Sequence, residues 1–177
     1  CRHLSDFEKI IPKFNFPQVG SKAFEEDIDE VKRCVGDRSL PKGFLDSSNN
    51  SVEKLFKKYV TDNDISGVDW SLFDELLSDL DTILMRQKYN YKRLRPADYF
   101  ESNGESLRDV ISVESPSFPS GHTAIAFFMS SLLSDMFPDH RMQLQTLAEM
   151  IGQSRIENGA HYPSDVSIGR FIGEIAS

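Results

Sequence analysis

Two cysteines and one tryptophan are all that 177 residues supply. Cysteines this sparse make neither a disulfide scaffold nor a thiolate metal site. A Cys1–Cys34 bridge is open only in an oxidising compartment; without it, Cys34 reads as a small buried apolar residue. Bases are short too, 20 against 28 acids, for a formal net charge of −8. Nucleic-acid and anionic-membrane binders need a basic surface, so both classes are disfavoured, while a small anionic substrate meets only its local field. No apolar run is long enough for a bilayer. The longest, Thr123 to Phe137, contains serines and Asp135 and falls short of the roughly 20 residues a span needs. No signal-peptide pattern opens the chain. It starts at Cys1 without methionine, as trimmed chains and mature bacterial lipoproteins do. Internal repeats, low-complexity tracts and sustained period-two alternation are all missing.

What is present is helical spacing. Ser21 caps a run to about Val35, with Phe24, Ile28, Val31 and Val35 on one face. Residues 36–50, rich in Gly, Pro, Ser and Asn, read as a loop. A short helix follows, carrying Val52, Leu55, Phe56 and Tyr59. The clearest pattern runs from Trp70, a core residue at the helix start, to Tyr89, with Leu72, Phe73, Leu76, Leu77, Leu80, Ile83 and Leu84 as its stripe. Pro96 ends that segment by disfavouring helix at Arg95. Residues 97–118 read as irregular, with a short extended piece at Val110–Val113. Helical patterns resume over Gly121–Phe137, Pro138–Ile156 and Pro163 to the end. The Gly169/Gly173 pair reads as a close helix contact. The expected fold is all-α.

Three stretches carry chemistry. In "RQKYNYKRLRP", Arg86, Lys88, Lys92, Arg93 and Arg95 concentrate a quarter of the chain's bases in an acidic protein. Such a cluster is either a solvated helix end or an anion site. In "PSGH", Ser120 can cap a helix. Gly121 lets backbone approach a ligand, and the unpaired N–H groups of the first turn favour a phosphate-like oxygen. His122 then sits beside whatever those groups hold. In "SRIENGAHYPSD", Arg155 offers a planar fork for two oxygens. His161 and Asp165, four apart, can meet so that a carboxylate fixes the imidazole tautomer, across a helix start if Pro163 interrupts the helix. The alternative is an ordinary polar i, i+4 pair. His3, near the chain end, and His140, expected exposed, carry no role.

In combination, Lys88-x6-Arg95-Pro96, Pro119-Ser120-Gly121-His122 and Ser154-Arg155-x5-His161-x3-Asp165 resemble the three-part signature of the acid phosphatase/vanadium haloperoxidase superfamily, which includes the type 2 phosphatidic acid phosphatases. The likeness is strongest to soluble bacterial class A non-specific acid phosphatases and loosest between residues 36 and 70. "ESPSF" before Pro119 departs from their pattern and is expected to line the substrate mouth.

That resemblance implies one compact all-α helical-bundle domain over 1–177, with an N-terminal segment, 1–60, packed on a catalytic core, 70–177. It implies a metal-independent phosphomonoesterase acting on small phosphate esters. Lys88, Arg95 and Arg155 would clamp phosphate oxygens together with Ser120 and the Gly121 N–H. His161 would become a phosphohistidine, Asp165 would orient it, and His122 would serve as acid and then base. No cofactor or metal is implied, and phosphate or vanadate would occupy the site as product or inhibitor. The partners implied are a small phosphate ester and no nucleic acid, with a homo-oligomer left open and a periplasmic or secreted location. The competing readings are a lipid phosphate phosphatase, a vanadate-dependent haloperoxidase, whose members are typically longer, and a non-catalytic module.

Overall fold

The computed structural model describes residues 12–177. Cys1, His3 and any pairing of Cys1 with Cys34 lie outside the described residues. Cys34 itself is buried. Among the described residues the helices are α1 (Lys22–Gly36), α2 (Lys42–Asn50), α3 (Val52–Asp62), α4 (Trp70–Tyr91), α5 (Pro96–Ser102), α6 (Gly121–Met136), α7 (Arg141–Glu157) and α8 (Pro163–Ala176), with a 3-10 turn at Pro138–His140. No strand occurs among the described residues.

The centre is α6, which is apolar nearly all round. Ala124, Ala126, Phe127, Phe128, Met129 and Leu133 are all buried, as expected of a helix covered on every side. α8 packs closely on it because its contact face is glycine. A Cβ on Gly173 would sit 2.3 Å from the Ala124 carbonyl oxygen, and one on Gly169 2.5 Å from that of Ser120. α7 covers another side through Gly152, whose own Cβ would meet Val166 and Thr123. These contacts lock the start of α6 against α7 and α8.

The outer helices each bring one apolar face. Leu80, Ile83 and Leu84 of α4 pack with Ala124, Phe128 and Ile172. Val52, Phe56 and Val60 of α3 join Phe127, Met129, Leu144 and Ile151. Phe24, Ile28, Val31 and Cys34 of α1 meet Phe100, Ile156 and Tyr162. Ser21 caps α1 by accepting from the Phe24 N–H.

Several expectations need correcting. Residues 42–50 are helix α2 rather than loop. Leu45 and Ser48 are buried, and the Ser48 hydroxyl bonds that of Ser154 at 2.9 Å, so docking on α7 overrides a composition that favours turns. Pro96 does not end α4. It opens α5, while α4 stops at Lys92 in a left-handed conformation. Val110–Val113 forms no ladder; Ile111 N–H donates to the Asn158 carbonyl. His140 is half-buried rather than exposed, its Nδ1 2.9 Å from the Tyr59 hydroxyl.

Candidate active site

Three distant pieces of chain meet at the N-terminus of α6. Lys88 comes from the last turn of α4, Arg95 from the extended residue before α5, and Arg155 from the last turn of α7. Their exposures are 5%, 5% and 1%. Among the described residues none of the three forms an ion pair. Neutral oxygens hold them instead. Lys88 Nζ donates to the Pro116 carbonyl at 2.8 Å and more weakly to that of Ser117. Arg95 Nε donates to the Ser115 carbonyl and its Nη1 to the Ala160 carbonyl, each at 2.7 Å. Arg155 Nη1 donates to Asn49 Oδ1 at 3.1 Å, and its Nε is buried with no partner.

The electrostatics follow from that burial. Desolvation, reinforced by Arg95, pushes Lys88 down to about 7. Desolvation lowers Arg95 and Arg155 to about 10, so both stay charged at neutral pH. The "ESPSF" stretch, expected at the substrate mouth, braces two of these cations, Lys88 and Arg95, through the Ser115, Pro116 and Ser117 carbonyls. Ser117 and Phe118 are fully buried.

Ser120 is wholly buried and caps α6. Its hydroxyl lies 2.8 Å from that of Thr123. Gly121 follows at the first helical position, where a Cβ would touch Lys88 Cε at 3.8 Å. His122, half-buried, places Nε2 3.2 Å from the Asn49 carbonyl. A carbonyl only accepts, so Nε2 carries hydrogen and Nδ1 is left to exchange a proton. Burial, then the Arg155 charge, push His122 down to about 4.

His161 is 1% exposed. Its Nδ1 lies 3.3 Å from Asp165 Oδ2, and its Nε2 is 3.2 Å from Arg95 Nη1. The carboxylate therefore holds the Nδ1 hydrogen, and Nε2 presents its lone pair. Desolvation and then Lys88, Arg95 and Arg155 hold His161 well below the usual imidazole range. The His161–Asp165 contact spans the start of α8, which Pro163 opens.

Asp165 has further partners that the motifs did not reveal. Ser117 Oγ donates to Oδ2 at 2.5 Å, and Arg93 Nη1 donates to Oδ1 at 2.6 Å. Arg93 Nη2 then reaches Asp27 Oδ2 at 2.9 Å, and Asp27 also accepts from the Ser164 hydroxyl and N–H. The Arg93 guanidinium stacks 4.0 Å from the Tyr162 ring centroid. Arg93, one of five clustered bases, thus serves the carboxylate and not the cation group. Asn49 touches both His122 and Arg155 from the end of α2, a segment expected to be loop.

The fold and this pocket define an all-helical protein with buried cations and two imidazoles gathered at one helix N-terminus. Comparison with known proteins gives that class its family. The PAP2 superfamily profile matches residues 76–177, and the chain belongs to that superfamily. The chain is 27% identical over 170 residues, 88% of its own length and 67% of the other, to a non-specific acid phosphatase of Providencia stuartii. It is 46% identical over 85 residues, 46% of this chain and 34% of the other, to a lipid A 1-phosphatase of Rhizobium johnstonii. The chain spans about a third of the length of several curated relatives it matches. A transmembrane PAP2-type phosphatidylglycerolphosphate phosphatase of Bacillus subtilis shares the fold, with a TM-score of 0.62 over 89% of this chain and 84% of that one, at 18% identity. Among the described residues no helix is long and apolar enough to cross a membrane.

Proposed function

We propose that this protein is a phosphomonoesterase that works through a phosphohistidine and needs no metal. The observation that carries the reading is three desolvated cations with no carboxylate partner among the described residues, one with an orphaned N–H, beside the helix N-terminus that bears Ser120 and Gly121. A tetrahedral dianion supplies what these groups lack. Lys88, Arg95 and Arg155 hold its equatorial oxygens with the Ser120 hydroxyl and the Gly121 N–H, and they stabilise charge that spreads there during transfer.

His161 Nε2 attacks phosphorus, and the bond to the ester oxygen breaks as the N–P bond forms. His122 gives its Nδ1 proton to the departing alkoxide. It then takes a proton from water, whose oxygen attacks phosphorus, releases phosphate and restores His161. Asp165, clamped by Arg93 and Ser117, keeps the Nδ1 hydrogen in place throughout. The decisive assay is p-nitrophenyl phosphate hydrolysis in excess EDTA, with full rates expected. Activity lost to the chelator and restored by zinc or magnesium would overturn the metal-free reading. Vanadate is expected to inhibit, since it mimics the five-coordinate transition state.

The pH dependence follows from the same groups. Lys88 gives up its charge as pH rises through about 7, so phosphate binding weakens on that side. His161, held low, stays neutral and nucleophilic in mild acid. His122, near 4 in the free protein, is more often protonated as pH falls. The expected kcat/KM optimum lies on the acid side of neutrality, with an alkaline limb close to pH 7. Lys88→Arg, which keeps its charge across this range, is expected to move that limb upward; a limb that stays in place assigns it to another group.

A further inference from the structure

A cleft of about 490 Å³ opens beside the cation group, walled by α3, α4 and α6, with His122 as the residue the two share. In the mechanism above, His122 protonates the leaving alcohol. The remainder of the ester would then lie on the His122 side of the phosphate, and this cleft is one that His122 lines.

Its walls are of two kinds. Val52, Leu77 and Ile125 give an apolar floor, while Glu53, Asp74 and Asp81 give carboxylates at the rim. Among the described residues no lysine or arginine lines it. Lys57, outside the lining, bonds Glu53 and lies 3.8 Å from Asp74, so that rim is partly offset. Asp81 lies further along α4 toward Lys88, close enough for its charge to act on that lysine. The local charge therefore reverses, from cationic where a phosphate would sit to anionic where the alcohol would sit.

We infer that this cleft is the leaving-group subsite, and that it selects phosphate monoesters whose alcohol carries no further anionic group, favouring those that carry an ammonium on a short aliphatic arm. The inference rests on the phosphatase reading and specifies its substrate class. A second phosphate or a carboxylate in the alcohol would face Asp74 and Asp81 with no cation in the lining to receive it. An ammonium would be attracted by the same carboxylates, and its methylenes would cover Leu77 and Ile125. Interactions of this kind at a partly exposed rim are screened by salt.

The test compares kcat/KM for O-phosphoethanolamine with that for 3-phosphoglycerate at low salt, using p-nitrophenyl phosphate as the reference for turnover. The wild type is expected to favour the cationic alcohol by about tenfold or more, and the ratio is expected to shrink in 0.5 M NaCl. Asp74 and Asp81 are exposed, so the double variant Asp74→Lys/Asp81→Lys is expected to fold and to invert the preference. A wild type that hydrolyses p-nitrophenyl phosphate yet treats both esters alike overturns the subsite and leaves the phosphatase reading standing. So does a preference that the double variant leaves unchanged. A wild type that turns over none of the three esters overturns both.

Discussion

His161→Ala is expected to lose at least about a thousandfold in kcat on p-nitrophenyl phosphate, the scale associated with removing a covalent nucleophile. The histidine is enclosed, with Nδ1 on Asp165 and Nε2 facing Arg95, so solvent cannot take its position easily. The cations do not depend on it for their charge. Phosphate is therefore expected still to raise the melting temperature of the variant, by binding the folded form alone. Retained phosphate stabilisation with lost turnover separates a missing nucleophile from a broken pocket. A variant that keeps a tenth or more of wild-type kcat would place the nucleophile elsewhere.

The second large effect falls on stability. Arg93→Met removes the only guanidinium that reaches both Asp27 and Asp165 among the described residues, and both carboxylates are buried. Removing one side of a buried ion pair costs about 3–5 kcal/mol, because the partner stays charged without water or a counterion. Urea unfolding at pH 7 is expected to show a loss of that size. Activity is expected to fall as well, because Asp165 loses the group that fixes its Oδ1. A loss well below that range would mean that packing against Tyr162, rather than charge, is what Arg93 supplies.

The sequence made some of these groups readable and hid others, for physical reasons. Helices whose apolar spacing persisted over several turns, such as α1 and α4, were expected close to where they lie. The small-residue contact at Gly169 and Gly173 was expected and is tight. α2 is illegible in the sequence because nine residues rich in Ser and Asn hold their helix through docking, and docking leaves no periodic mark. Arg93 could not be told from Lys92 or Arg86 by composition. Its role is set by Asp27, 66 positions earlier. Asn49 carried no signal at all, being one of two adjacent asparagines before a serine. Its importance arises from a 106-residue separation that only folding closes.

That separation bears on where the working unit of this chain begins. The superfamily profile starts at residue 76 and contains every group with a named chemical task. Yet the braces on those groups reach back through Asn49 to α2 and through Asp27 to α1. A fragment cut at the edge of the recognised region would keep all the tools and lose the hands that steady them. The profile-matched part of this molecule is thus incomplete in mechanical terms, and its upstream helices are fittings of the pocket as much as cladding around it.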